Sequence, residues 1–175
     1  MNKQELFEYI ASQEEFLNHI SDSVWDNPET CYSEKVSSEI ICKALEEQGF
    51  HVEKGIAGIP TAFTGTFGHG KPVIGFLGEF DALSGLSQVA GATEKIAIHS
   101  GGNGHGCGHN LLGTGCLAAA IGLKEYLTES GKEGTVIFYG CPAEEGGGGK
   151  TFMAREGCFD HLDAAIAWHP GDAYG

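Results

Sequence analysis

At Phe50 the spacing of the apolar residues changes period, and that change limits the folds open to this chain. Before it, Leu6, Ile10, Leu17, Ile20 and Val24 recur at helical intervals within residues 3–25, and Pro28 closes the segment, so a first amphipathic helix is expected there. A second is expected from about Ser33 through Val36, Ile40, Ala44 and Leu45 to Gly49, a glycine suited to the left-handed position after a helix end. After Phe50, "FHVEKGI", "TAFTGTF" and "PVIGFLGEF" are short, β-branched or aromatic, and separated by Gly and Pro, which reads as strands. The stretch "KPVIGFLG" reads as covered on both faces. A small-residue helix, "LLGTGCLAAAIGLKEYL", is expected with Asn110 as its cap. The strand "GTVIFYGC", the short helix "GKTFMAREG" and the strand "DAAIAWH" follow. Strands alternating with helices predict an α/β fold, a three-layer sheet with helices on both faces. Residues 84–106 are small, polar and glycine-rich, and predict a long loop lying over a site.

A length of 175 residues with 41% hydrophobic content suits one domain with a real core and leaves no room for a second full one. Ten Lys and Arg against 24 Asp and Glu give a net charge of −14, which repels nucleic acid and anionic membrane alike, so neither is expected as a partner. The opening "MNKQELFEYIASQEEF" interleaves acids with apolar residues and reads as neither a secretory leader nor a membrane span; a cytoplasmic protein is expected. Six cysteines, at positions 31, 42, 107, 116, 141 and 158, follow no compact spacing, and Cys116 and Cys141 read as packing thiols.

Two stretches carry chemistry. "GHGCGHN" sets His105, Cys107 and His109 at alternate positions, which share one face if the backbone is extended. Imidazole and thiolate are preferred ligands of zinc and related metals, and one more carboxylate completes a catalytic set that leaves room for water. "CPAEEGGGGKTF" supplies Glu144 and Glu145. On extended backbone these neighbours point apart, so one can bind metal while the other moves a proton as general base and then acid; spacing alone leaves open which does which. The same stretch ends like a phosphate-binding loop in Gly149-Lys150-Thr151, but that loop requires a glycine where Glu144 stands, and two carboxylates repel phosphate. No nucleotide role is expected for Lys150. His169, at the end of the last strand, is the next candidate ligand, whereas His19, His51, His69 and His161 lack such neighbours and read as surface residues.

The stretches "FLGEFDALSGLSQ", "GGNGHGCGHNLLGTGCLAAA", "YGCPAEEGGGGKTFM" and "DAAIAWHP" run in order across residues 76–170 and resemble the metallopeptidase family of aminoacylases, glutamate carboxypeptidases and bacterial amidohydrolases. The resemblance implies a di-metal exopeptidase-like catalytic domain that hydrolyses amide bonds of N-acyl or N-aroyl amino acids, of the aminobenzoyl-glutamate kind, or of dipeptides. It implies one or two divalent ions, zinc or manganese with cobalt as a third choice. Cys107, His109, Glu145 and His169 are implied as metal ligands and Glu144 as the catalytic base. Many relatives carry His-x-Asp where this chain has Glu79-Phe80-Asp81, with the aspartate orienting the histidine; Asp81 is kept among the catalytic residues, and Glu79 stands in the histidine's place. Members run well past 175 residues, with a lid or dimerisation domain, and form homo-oligomers. Residues 1–175 are therefore expected to be the amino-terminal part of the catalytic domain, without the lid and inactive alone. Two rival readings are a Cys107 nucleophile activated by His109 or His105, and a non-catalytic metal-binding or assembly fragment.

Overall fold

The computed structural model describes residues 1–171. Its helices are α1 (Lys3–Ser12), α2 (Glu14–Trp25), α3 (Lys35–Glu47), α4 (His109–Ser130), a single distorted turn α5 (Glu144–Gly147) and α6 (Gly149–Arg155). Its strands are β1 (His51–Lys54), β2 (Phe63–His69), β3 (Val73–Glu79), β4 (Gly134–Cys141) and β5 (Ala164–Ile166), with a 3₁₀ turn at Ile56–Gly58. The first expected helix is two. The Ser12 hydroxyl donates to the Tyr9 carbonyl, and the Gln13 N–H bonds Ile10 instead, so the backbone breaks at Gln13. At the end of α3, Gly49 adopts φ +81° as expected. The N–H groups of Gly49 and Phe50 bond the carbonyls of Glu46 and Leu45, closing a Schellman motif.

The strands form one mixed sheet in the order β1-β2-β4-β3-β5. β2 runs antiparallel to both of its neighbours, β1 and β4, while β3 runs parallel to both β4 and β5. Alternation along β4 divides the core. Val136 and Phe138 join Ile41, Leu45, Phe63, Phe76, Leu112, Leu117 and Ile121 beneath the long helices, and Ile137, Tyr139 and Cys141 meet Ile59 and Met153 on the opposite face. Helices cover both faces, but unequally: the four long ones share one face, and the other carries the 3₁₀ turn and short α6. β5 is shorter than expected and exposed along its length.

The parallel arrangement positions the site. β3, β4 and β5 all end at the same edge of the sheet, where open α/β sheets bind their ligands. α4 also begins there, pressed against β3 so closely that a Cβ on Gly113 would lie 2.6 Å from the Glu79 carbonyl oxygen. Residues 84–106 form no helix or strand beyond a bridge between Leu83 and Gly104. Among the described residues no helix is long and apolar enough to cross a membrane.

Candidate metal centre

His109, the first residue of α4, is fully buried and lies at the centre of the cluster. Gly108, left-handed at φ +81°, is the N-cap in place of Asn110, whose side chain instead donates to Ser21 from inside the first turn. The left-handed turn also breaks the extended backbone on which His105, Cys107 and His109 were to share a face. His105 turns into the core, stacks on Trp25 and bonds the Val24 carbonyl, so it is no part of the cluster. Cys107 and His169 do meet: Sγ and Nε2 are 3.2 Å apart, and both lie with His109 in a group whose ligand atoms are within 4.8 Å of one another.

The His109 ring is held by Asp81. Nδ1 faces two acceptors, Asp81 Oδ1 at 2.9 Å and the Asp81 carbonyl at 3.1 Å, so in the neutral ring Nδ1 carries the proton and Nε2 presents a lone pair. Asp81 Oδ2 accepts the Glu145 N–H at 2.9 Å, which ties the histidine to the glutamate turn. Burial would raise the Asp81 carboxyl, but the bonds from His109 and Glu145 outweigh it and hold the group below its ordinary range.

Around Nε2 stand three carboxylate oxygens: Glu79 Oε2 at 3.1 Å, Glu144 Oε2 at 3.8 Å and Glu145 Oε1 at 3.9 Å. The two glutamates therefore do not point apart as expected of extended backbone. Ala143 is left-handed at φ +58°, and Glu145 and Gly146 depart from helical angles, so both carboxylates turn towards His109. Glu79, left without a role by sequence reasoning, is 8% exposed and ion-paired through its other oxygen to Lys150 Nζ. Lys150 thus has a carboxylate partner inside the site, where a phosphate-binding lysine would need to be free.

His109 Nε2, Glu79 Oε2 and Glu145 Oε1 are all buried, and none has a hydrogen-bond partner among the described residues. Such orphans are costly unless something satisfies them. A lone pair ringed by anionic oxygens calls for a cation. The His109 pKa reports the same demand: burial pulls it down, yet the Asp81 bond and the charges of Asp81, Glu79 and Glu145 raise it overall. A divalent ion fits this donor set of imidazole, carboxylate and thiolate, with Cys107–His109–His169 and Glu79–His109–Glu144 as two overlapping groups. Without a cation, burial and then the carboxylates of Glu145, Glu144 and Glu79 push the Cys107 thiol up to about 11, which opposes its use as a free nucleophile. His19, His51, His69 and His161 are exposed, and Cys116 and Cys141 are buried packing thiols, as expected.

Residues 75–174 match the model of Peptidase family M20/M25/M40. One subunit of the p-aminobenzoyl-glutamate hydrolase of Escherichia coli K12 is 53% identical over 172 residues, covering 95% of this chain and 36% of that protein. Two solved structures share the fold. A dinuclear metal binding peptidase of the M20 family from Bacillus subtilis superposes with a TM-score of 0.73 at 22% identity, over 90% of this chain and 44% of that one. An aminobenzoyl-glutamate utilization protein from Klebsiella pneumoniae gives 0.70 at 19% identity, over 95% and 46%. The chain thus spans 36% to 46% of the length of these proteins.

Proposed function

Because the chain belongs to peptidase family M20/M25/M40, we propose that it carries the metal-holding and proton-moving part of a hydrolase of amide bonds in N-acyl or N-aroyl amino acids or dipeptides. The name of the Escherichia coli relative supports p-aminobenzoyl-glutamate as the substrate type, and its being one subunit of a hydrolase supports work within an assembly. In this reading residues 1–175 form the amino-terminal part of a catalytic domain. The observation that carries it is the orphaned His109 Nε2, facing three carboxylate oxygens and packed beside Cys107 and His169.

Cys107, His109, Glu145 and His169 would hold the ion, with zinc favoured by the thiolate, while the imidazoles and carboxylate also accept manganese or cobalt. A divalent ion held there supplies Lewis acidity, making water acidic at neutral pH and polarising an amide carbonyl. Glu144 is the more exposed of the paired glutamates, with 42% of its side chain accessible against 21% for Glu145, and so is the one that can reach both water and substrate. Its Oε2 accepts the proton of the attacking water and delivers it to the leaving nitrogen. Asp81 keeps the proton on His109 Nδ1, leaving Nε2 free to donate its lone pair.

The test is metal stoichiometry together with amide hydrolysis, on this chain and on any longer product of the same reading frame. Cys107→Ser and His109→Ala should each weaken metal binding. In the longer product Glu144→Gln should keep metal and lose nearly all turnover, and Glu145→Gln should lose metal as well. Equal metal loss in both glutamate variants would overturn the division of roles, and parental metal content in both ligand variants would overturn the site. Alkylation of Cys107 with and without chelator separates a metal ligand, which is shielded, from a nucleophile, which is not.

A further inference from the structure

Glu34 lies just before α3, and nothing in its sequence setting marks it as part of a site. Its side chain is fully buried and reaches across the fold to the turn that carries Glu144. Oε1 accepts two backbone N–H groups, from Tyr32 at 2.9 Å and from Ala143 at 2.8 Å, and Oε2 accepts the Thr61 hydroxyl at 3.1 Å. Both backbone donors belong to non-glycine residues in left-handed conformation, Tyr32 at φ +62° and Ala143 at φ +58°. Such a conformation is strained for a residue with a side chain and persists only where surrounding groups impose it. At Ala143 the Glu34 carboxylate takes the N–H, and the Gly149 N–H bonds the carbonyl.

Left-handed Ala143 is also what turns the chain off β4 so that Glu144 and Glu145 both face His109. The far end of the same turn is held by the same segment, since the Tyr32 hydroxyl donates to the Gly147 carbonyl at 2.7 Å. Residues 32–34 therefore clamp the glutamate turn at both ends. We infer that Glu34 is a positioning residue which, through the Ala143 N–H, fixes the glutamate pair against His109. The inference rests on the metal-dependent reading only for what the pair does; the clamp itself is independent of it.

Three variants and one control test it. In Glu34→Gln the amide oxygen still accepts both N–H groups, and the new NH₂ can donate to the Thr61 hydroxyl, so the turn should hold. Glu34→Leu fills the space and leaves three donors, the Tyr32 and Ala143 N–H groups and the Thr61 hydroxyl, without their acceptor, and Glu34→Asp keeps the charge but is one methylene too short to reach Ala143. Leu45→Ala, in α3 and fully buried, is a destabilised control remote in function. Two quantities are read: zinc affinity by calorimetry, and hydrogen exchange at the Ala143 and Glu145 amides by NMR. Glu34→Leu and Glu34→Asp should weaken zinc binding by about ten- to a hundredfold, as loss of ligand orientation does, and should speed exchange at Ala143. Glu34→Gln should restore both, and Leu45→Ala should lower the melting temperature without moving either. Parental zinc affinity and exchange in a folded Glu34→Leu protein would overturn the inference, and so would equal losses in Leu45→Ala. If Glu34→Leu does not fold, Glu34→Asp decides by the same criteria. If the parent itself binds no zinc, the metal reading falls, and exchange at Ala143 alone decides the clamp.

Discussion

Replacing Asp81 with asparagine changes one atom in the described site and removes an acceptor that two donors need. Asp81 Oδ1 accepts from His109 Nδ1 at 2.9 Å and Oδ2 from the Glu145 N–H at 2.9 Å. An asparagine has a single oxygen. If that oxygen stays with Glu145, the NH₂ faces Nδ1: the Nδ1–H tautomer then opposes a donor and keeps only the Asp81 backbone carbonyl at 3.1 Å as acceptor, which favours the opposite tautomer, protonated at Nε2 and able to accept from the NH₂. The proton then occupies the atom that faces Glu79, Glu144 and Glu145. If the oxygen stays with His109, the half-buried Glu145 N–H opposes another donor, at a cost of about 1–3 kcal/mol. Either way metal binding suffers, first through a blocked imidazole and second through a displaced glutamate. Loss of the group that orients a ligating histidine costs about ten- to a hundredfold in affinity, or about 1.4–2.8 kcal/mol. Calorimetric titration of zinc into the parent and Asp81→Asn proteins measures that loss, and ¹⁵N NMR of the His109 ring reports which nitrogen carries the proton. Unchanged zinc affinity with the Nδ1–H tautomer retained would refute the reasoning.

Gly113→Ala should destabilise the fold by about 1–3 kcal/mol, because its Cβ would stand 2.6 Å from backbone, the Glu79 carbonyl oxygen, with no flexible side chain to give way. Thermal unfolding checks this, and a melting temperature at or above the parent's would contradict it. Burial raises the Glu34 carboxyl above its ordinary 4.5, against the opposing bonds from Ala143, Thr61 and Tyr32. A raised acid holds its proton more tightly folded than unfolded, so the parent loses stability as pH climbs from about 4.5 through the folded value, and Glu34→Gln, with nothing to ionise, escapes that loss. The difference in melting temperature should therefore move in the variant's favour across that window, and a flat difference would count against it. ATP added to magnesium should leave the melting temperature where magnesium alone sets it, since Lys150 is engaged by Glu79; a further, ATP-dependent saturable rise would revive a nucleotide role.

Local pattern alone determined which segments became helix or strand, because those preferences act over a few residues: β4 was legible to both ends from its apolar run, and the Gly49 stop from its freedom to take positive φ. Chemical type likewise marked His105, Cys107, His109, Glu144, Glu145 and His169 as candidates, because imidazole, thiolate and carboxylate are the side chains that bind metals and move protons, and all but His105 do come together around His109. What tertiary structure decided is everything that depends on where distant segments meet. Equal spacing put His105 with Cys107 and His109, but the turn over residues 105–108, closed by the Gly108 N–H on the His105 carbonyl, leaves His105 against Trp25. Extended-strand logic set the two glutamates apart, but Ala143 turned both inward. Glu79 gained its place from the parallel pairing of β3 and β4, and its partner Lys150 lies 71 residues along the chain. Glu34 reaches Ala143 across 109 residues. A backbone hydrogen bond across that separation leaves no periodic trace in the sequence, because its acceptor is one buried carboxylate and its donor is a group every residue but proline possesses.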